Sequence, residues 1–166
     1  MGMRSGKALQ VQRTAKRTAA KRAKNPVAKS PARRAVTTRA VAVDANAELR
    51  KLARHIVDVT LSNDQGAMLA LYDDAVESTE ASSPPTVGIQ ALRDKFDMFR
   101  RMVSSALLIP RAVLADGSTI VIEWDGRMTL AESGQTVELH EVAVHEIENG
   151  KIVRERYWYD PSVLQP

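Results

Sequence analysis

The apolar residues of this chain change period once, near Ala106, and that change limits the folds open to it. Before it they recur at helical spacing. After it they alternate or run in short β-rich segments. Leu49, Leu52, Ala53, Ile56 and Val59 share one face of a helix beginning near Ala47, with Asp44 or Asn46 as cap. Ser62-Asn63-Asp64 breaks it and can cap a short second helix, Gln65 to Tyr72. Asp73 to Thr79 reads as a turn into a short strand, and Ser82-Ser83-Pro84-Pro85 as a loop. A third helix is expected from about Ile89 to Ser104, with Ile89, Leu92, Phe96, Phe99 and Val103 as its stripe. Leu107 to Ile109, Ile120 to Ile122, Val137 to Ile147 and Ile152 to Tyr159 read as strands. The turns between them are Asp116-Gly117, Ser133-Gly134 and Asn149-Gly150, the last a strong hairpin signal. Asp125-Gly126 inside a long strand suggests a bulge. Helices followed by a meander give an α+β fold.

Charge is segregated as sharply. Residues 1–43 hold 12 of the 24 Lys+Arg and no acid, a net of +12. Residues 44–166 hold the other 12 against all 20 acids, 12 minus 20 or −8. The first stretch has no aromatic residue and a single leucine, so it cannot bury enough surface to offset its ordering entropy. The expected organisation is a disordered Lys/Arg/Ala/Pro-rich tail, 1–43, on one folded domain, 44–166. Arg13, Lys16, Arg17, Lys21, Arg22, Lys24, Lys29, Arg33 and Arg34 would contact nucleic acid through phosphate, with steep salt dependence and little sequence preference. The composition of this quarter of the chain resembles the tails of linker histones and bacterial histone-like proteins. A merely solubilising extension and an Arg-rich organellar transit peptide are the competing readings. No apolar region follows the charges, so a secretory signal is not expected, and a cytoplasmic or nucleoid location is.

Other chemistries are excluded or disfavoured. The chain has no cysteine, hence no disulfide, thiolate metal site or Cys nucleophile. No apolar run is long enough for a membrane span. His55, His140 and His145 have no spacing that builds a metal site, and no phosphate loop or nucleophile elbow occurs, so neither metal nor cofactor is expected.

A two-residue Asn149-Gly150 turn pairs Ile147 with Ile152, Val144 with Glu155, Val142 with Tyr157 and His140 with Tyr159. One face of the hairpin then carries Leu139, Glu141, Ala143, His145, Arg154, Arg156 and Trp158. The other carries His140, Val142, Val144, Glu146, Glu155, Tyr157 and Tyr159. The second face has an apolar floor with few polar groups, as a small-molecule pocket wants. One tension stays open. If Ser133-Gly134 is also a two-residue turn, Ile120, Ile122, Trp124 and Leu130 join the first face and make it the more apolar.

Several strings in order resemble the SnoaL-like branch of the nuclear transport factor 2-like (ketosteroid isomerase-like) superfamily. They are Asn63 to Asp74, Val87 to Leu92, Glu148 to Glu155 and the terminal Tyr157-Trp158-Tyr159-Asp160-Pro161, and the resemblance covers about residues 46–163. It implies a cone: three helices packed on a curved, mainly antiparallel sheet, with an apolar pocket inside and a homodimer through the sheet. It also implies that Val153, Glu155, Tyr157 and Tyr159 face the pocket; Val142 on the same hairpin face, and Tyr72 and Phe96, are further candidates for the lining, the last two with a place in the core as the competing reading. Candidate catalytic residues are His140 as a base oriented by Tyr159, and Glu155 as an acid of raised pKa. The plainer alternative leaves His140 bonded to Tyr159 at a pocket mouth and Glu155 near solvent. His145 is expected on the outer sheet surface, and His55 at the edge of the first helix.

The steroid isomerase tyrosine falls at Ile56, and the first-strand acid near Thr79, with Glu77 and Glu80 as imperfect substitutes; the further acid falls among Val142 to Val144. Steroid isomerisation by that machinery is disfavoured. Two functions follow: a dimeric module binding a small hydrophobic ligand, its tails on nucleic acid, or a cofactor-free lyase, isomerase or hydrolase acting on a small hydrophobic carbonyl or epoxide compound.

Overall fold

The computed structural model describes the backbone of residues 32–164 and the side chains of residues 46–164. Helix α1 spans Ala32–Ser62, α2 Gln65–Leu69 and α3 Ile89–Met102. The strands are β1 Tyr72–Glu80, β2 Thr86–Val87, β3 Val103–Asp116, β4 Thr119–Leu130, β5 Thr136–Glu148 and β6 Lys151–Trp158, followed by a 3-10 turn at Pro161–Leu164. The expected α+β architecture is what forms. Six strands make one curved, unclosed sheet in the order β2-β1-β6-β5-β4-β3, and only β1 and β6 run parallel.

The helices lie where their apolar stripes dictate. Leu49, Ala53, Ile56 and Val59 of α1 are buried, and α1 rests on β3. Leu92 of α3 is fully buried, and α3 rests on β1. Asp64 caps α2, its Oδ1 accepting the amide of Ala67 at 3.0 Å. The start of α1 differs from expectation. It lies at Ala32, inside the stretch read as tail, because neither proline nor glycine interrupts residues 32–65 and alanine and arginine favour helix. Arg33 and Arg34 therefore stand on a helical backbone, their side chains outside the described residues. Arg13, Lys16, Arg17, Lys21, Arg22, Lys24 and Lys29 also lie outside the described residues, and the tail reading with them. Among the described residues, no helix is long and apolar enough to cross a membrane.

Gly126 makes no bulge. It pairs in register with Leu108 on β3 and Leu139 on β5, and the bulges of this region fall in β3 instead. A Cβ on Gly126 would stand 3.1 Å from Leu108 Cδ2 and 3.4 Å from the Leu139 Cβ. Glycine is here because two leucines close over it from both sides.

Candidate functional site

The inner face of the sheet is set by one residue. Ile147 pairs with Ile152 as the Asn149-Gly150 turn requires, but the register then slips, so that Glu146 pairs with Arg154, His145 with Glu155 and Ala143 with Tyr157. Val153 is the extra residue of this bulge. The slip leaves Glu155 and Tyr157 facing inward and brings Leu139, Glu141, Ala143 and His145 in beside them. Ile120, Ile122, Trp124 and Leu130 share that face and are buried. The open tension in the sequence resolves toward the more apolar face of β5.

His140 and Val142 therefore point away from the interior, contrary to the expected pocket. The His140 side chain is 79% exposed, its Nδ1 2.7 Å from Asp125 Oδ1, and Arg111 reaches the same carboxylate. Val142 is exposed beside Trp158. His145, expected outside, is buried.

A cavity of about 590 Å³ lies between α3 and the inner face. Its walls are mostly apolar: Met68, Phe96, Phe99, Leu108, Met128 and Leu139 among them. Its polar groups include Glu80, Lys95, Glu141, Tyr157 and Tyr159, with Thr60, Asn63, Gln65, Arg100, Ser104 and Ser105 also on the lining. Of the residues expected to line a pocket, Phe96, Tyr157 and Tyr159 do. Tyr72 and Glu155 lie outside the lining, buried in the core, and Val153 is taken up by the bulge.

Glu155 is fully buried, so its charge needs internal partners. Tyr72 donates to its Oε2 at 2.6 Å and Tyr157 at 2.8 Å, while Ser78 donates to Oε1 at 2.6 Å. Lys95 Nζ lies 3.7 Å from Oε1, donates to Ser78 Oγ at 2.6 Å and pairs with Glu80. The His145 ring packs edge-on to Tyr157, its Nδ1 3.6 Å from Glu155 Oε2 and without a hydrogen bond. Burial pushes the Glu155 carboxyl up, but His145, Lys95 and Ser78 outweigh it and hold the group at about 2. An acid of raised pKa at this position, as the sequence suggested, is thus corrected: Glu155 is an anionic post on which Tyr72, Ser78 and Tyr157 are hung. Burial pushes the phenols of Tyr72 and Tyr157 well above their ordinary range, and the Glu155 charge adds to it.

The acid of raised pKa is Glu141. Burial first, then the negative charges of Glu80 and Glu155, push its carboxyl up to about 8, with Lys95 pulling the other way. Tyr159 is pushed up to about 12 by burial and the charge of Glu80. A mostly protonated carboxyl at neutral pH can donate a hydrogen bond, and just above pH 8 it can accept a proton. Lys95 brings a positive charge to the same wall.

Sequence reasoning missed Glu141 and Lys95. The parity of Glu141 with Ile122 and Trp124 was its signal. Lys95 stands three residues after Leu92 and next to Phe96, on the inner side of α3. Glu80, kept as an imperfect substitute for a first-strand acid, does line the cavity, whereas Glu77 points to Arg154 at 3.8 Å. His55 is exposed on a separate surface groove with Leu52, Ser118 and Ile147.

Several solved structures share this fold. An NTF2-like protein of unknown function from Burkholderia pseudomallei superposes with a TM-score of 0.65 at 18% identity, over 70% of this chain and 97% of that one. A proposed SnoaL-like polyketide cyclase from Mesorhizobium loti gives 0.58 at 22% identity, over 66% and 97%. An LEH-like epoxide hydrolase of M. tuberculosis gives 0.60 at 14%, over 72% and 88%. These likenesses show the fold. No curated protein sequence matches. The profile of the SnoaL-like domain matches residues 53–155, well over half of the chain, and the protein belongs to the SnoaL-like family.

Proposed function

We propose that this domain binds a small, mostly apolar molecule whose one polar group meets Glu141, Lys95 and the two tyrosines. The cavity carries the reading: its volume of about 590 Å³ lies in the range of small-molecule sites, and its lining is apolar with a few convergent polar groups. Displacement of an apolar fluorescent dye tests it. Ala106→Trp, at a lining residue, should weaken dye binding at least tenfold with far-UV dichroism unchanged; undiminished binding would place the dye elsewhere.

A second reading makes the same pocket a cofactor-free lyase, isomerase or hydrolase for a hydrophobic carbonyl or epoxide compound. Its support is Glu141, whose carboxyl at about 8 suits proton transfer near neutral pH, with Lys95 placed to meet developing negative charge. One structural neighbour is an epoxide hydrolase. Turnover of an enone or epoxide panel should show an inflection near pH 8 that Glu141→Gln removes. No turnover of any member leaves binding alone.

Two features fit a dimeric assembly on nucleic acid. Leu107, Ile109, Leu114, Val142 and Trp158 are exposed, as a homodimer face on the sheet would be in one subunit. Trp158→Glu should then halve the sedimentation mass. The +12 stretch would contact phosphate, and removal of residues 1–43 should abolish a salt-sensitive DNA shift.

A further inference from the structure

We propose that the polar group of the ligand is a protonated amine, an inference that rests on the ligand-pocket reading above. Three carboxylates meet at this end of the domain: Glu80 and Glu141 on the cavity wall, and Glu155 in the core beside Tyr157. One cation of the wall answers them. Lys95 is already committed to Glu80, to Ser78 and, at 3.7 Å, to Glu155. His145 shares Glu155 at 3.6 Å from a place off the cavity wall. Arg100, also on the cavity lining, donates to Gln65 Oε1 at 2.9 Å.

Glu141 is the carboxylate left over. Among the described residues no side-chain hydrogen bond or ion pair reaches Glu141, and burial and the surrounding charges set its state. At neutral pH a proton supplies the missing positive charge. A ligand ammonium can take that proton's place, bringing one positive charge and up to three donors to a group that, once ionised, only accepts. A ligand carboxylate would add a fourth negative charge, and a neutral carbonyl would satisfy one hydrogen bond without the charge. The aromatic wall agrees. Phe96, Tyr157 and Tyr159 stand at this end, and the Tyr157 ring already carries Lys95 Nζ at 4.9 Å from its centroid. The remaining apolar wall asks for a hydrocarbon body on the amine.

Exchange of a proton for an ammonium makes binding pH-dependent. The groups facing Glu141 are Glu80 on β1, Lys95 on α3, and Glu155 and Tyr157 on β6, with Tyr159 just beyond. Tyr157 and Tyr159 are held neutral far above pH 8, and the Glu141→Gln variant separates Glu141 from the other titratable neighbour of this wall, His145 beside Glu155. An aliphatic amine stays charged to about pH 10.

Calorimetry on the full chain with 4-phenylbutylamine, 4-phenylbutanol and 4-phenylbutanoate tests this. At pH 8.5 the amine should bind at least tenfold tighter than the alcohol, with the carboxylate weakest. Its affinity should rise on the order of tenfold from pH 6.5 to 8.5 while the alcohol's stays flat. Glu141→Gln should erase both effects. An alcohol that equals the amine, or a carboxylate that beats it, overturns the proposal and leaves the pocket standing. So does dye binding that none of the three displaces. If the dye does not bind either, the pocket reading falls too.

Discussion

Replacing Glu141 by glutamine should make the domain more stable, and increasingly so as pH rises. The carboxyl moves from its ordinary value of 4.5 to about 8 in the folded chain, with burial as the largest cause. A raised folded value means that the folded state holds the proton more tightly than the unfolded state. Stability from this group is therefore fully present below pH 4.5 and is lost as pH climbs toward 8. With about 1.4 kcal/mol for each pH unit, linkage gives a loss of about 1 kcal/mol by pH 5 and about 4 kcal/mol by pH 8. Glutamine keeps the shape and hydrogen-bonding capacity but never ionises. Urea unfolding of both proteins at pH 5 and pH 8 isolates the effect, since every other titrating group is common to the pair. The stability difference should move by about 3 kcal/mol in favour of Glu141→Gln between the two pH values. With a urea slope of about 2 kcal/mol per molar, the midpoints should separate by a further 1.5 M or so. Parallel curves would show that Glu141 ionises as freely folded as unfolded, and the electrostatic account of this wall would be wrong.

The Glu155 carboxyl has the opposite sign. It is depressed from 4.5 to about 2, so its stabilisation is present above pH 4.5 and is lost as pH falls toward 2. Glu155→Gln should cost about 3–5 kcal/mol at pH 7, and the gap to the parent should narrow by about 2 kcal/mol at pH 3; a constant gap would contradict a buried charge. Gly126→Ala should cost about 1–3 kcal/mol in chemical unfolding and weaken ligand binding, because the new methyl meets Leu108 at 3.1 Å. A neutral result would mean that the two leucines have room to withdraw. His140→Ala should leave ligand affinity within twofold, as its ring lies outside with Asp125; a larger loss would reverse the assignment of the sheet faces.

Much of this was legible because the signals were local. The Leu49 to Val59 stripe gave α1 its buried side, Asp64 its cap to α2, and Asn149-Gly150 its hairpin. The order and spacing of short strings point to the curved α+β fold. Tyr157 and Tyr159, which the resemblance points toward a pocket, line the cavity, but the turn and the strand's own alternation do not explain it, since Ile152 and Glu155 on the two sides of Val153 are both buried. What failed was transfer of that parity across one strand. A bulge has no composition of its own: Ile152-Val153-Arg154 reads as ordinary strand, and nothing in it announces that Val153 is unmatched. With the period of a strand at two, one unmatched residue exchanges every inward and outward side chain on the neighbour.

That exchange decides the chemistry as well as the geometry. Without it, His140 and Val142 would face α3, while Glu141 and His145 would lie among the charges of the outer surface. With it, a carboxylate enters an apolar cavity already holding Glu80 and backed by Glu155, and it must either keep a proton or find a cation. The total burial of β5 argues that the apolar residues chose the face. Leu139, Ala143 and Ile147 share the inward face with Ile120, Ile122 and Trp124 of β4, and Val142 and Val144 alone could not have covered them. Burying those aliphatic side chains stabilises the sheet by several kcal/mol, about the size of the cost worked out above for ionising Glu141. The polar site is thus a consequence of core packing: Glu141 sits between Leu139 and Ala143 and goes wherever that face goes.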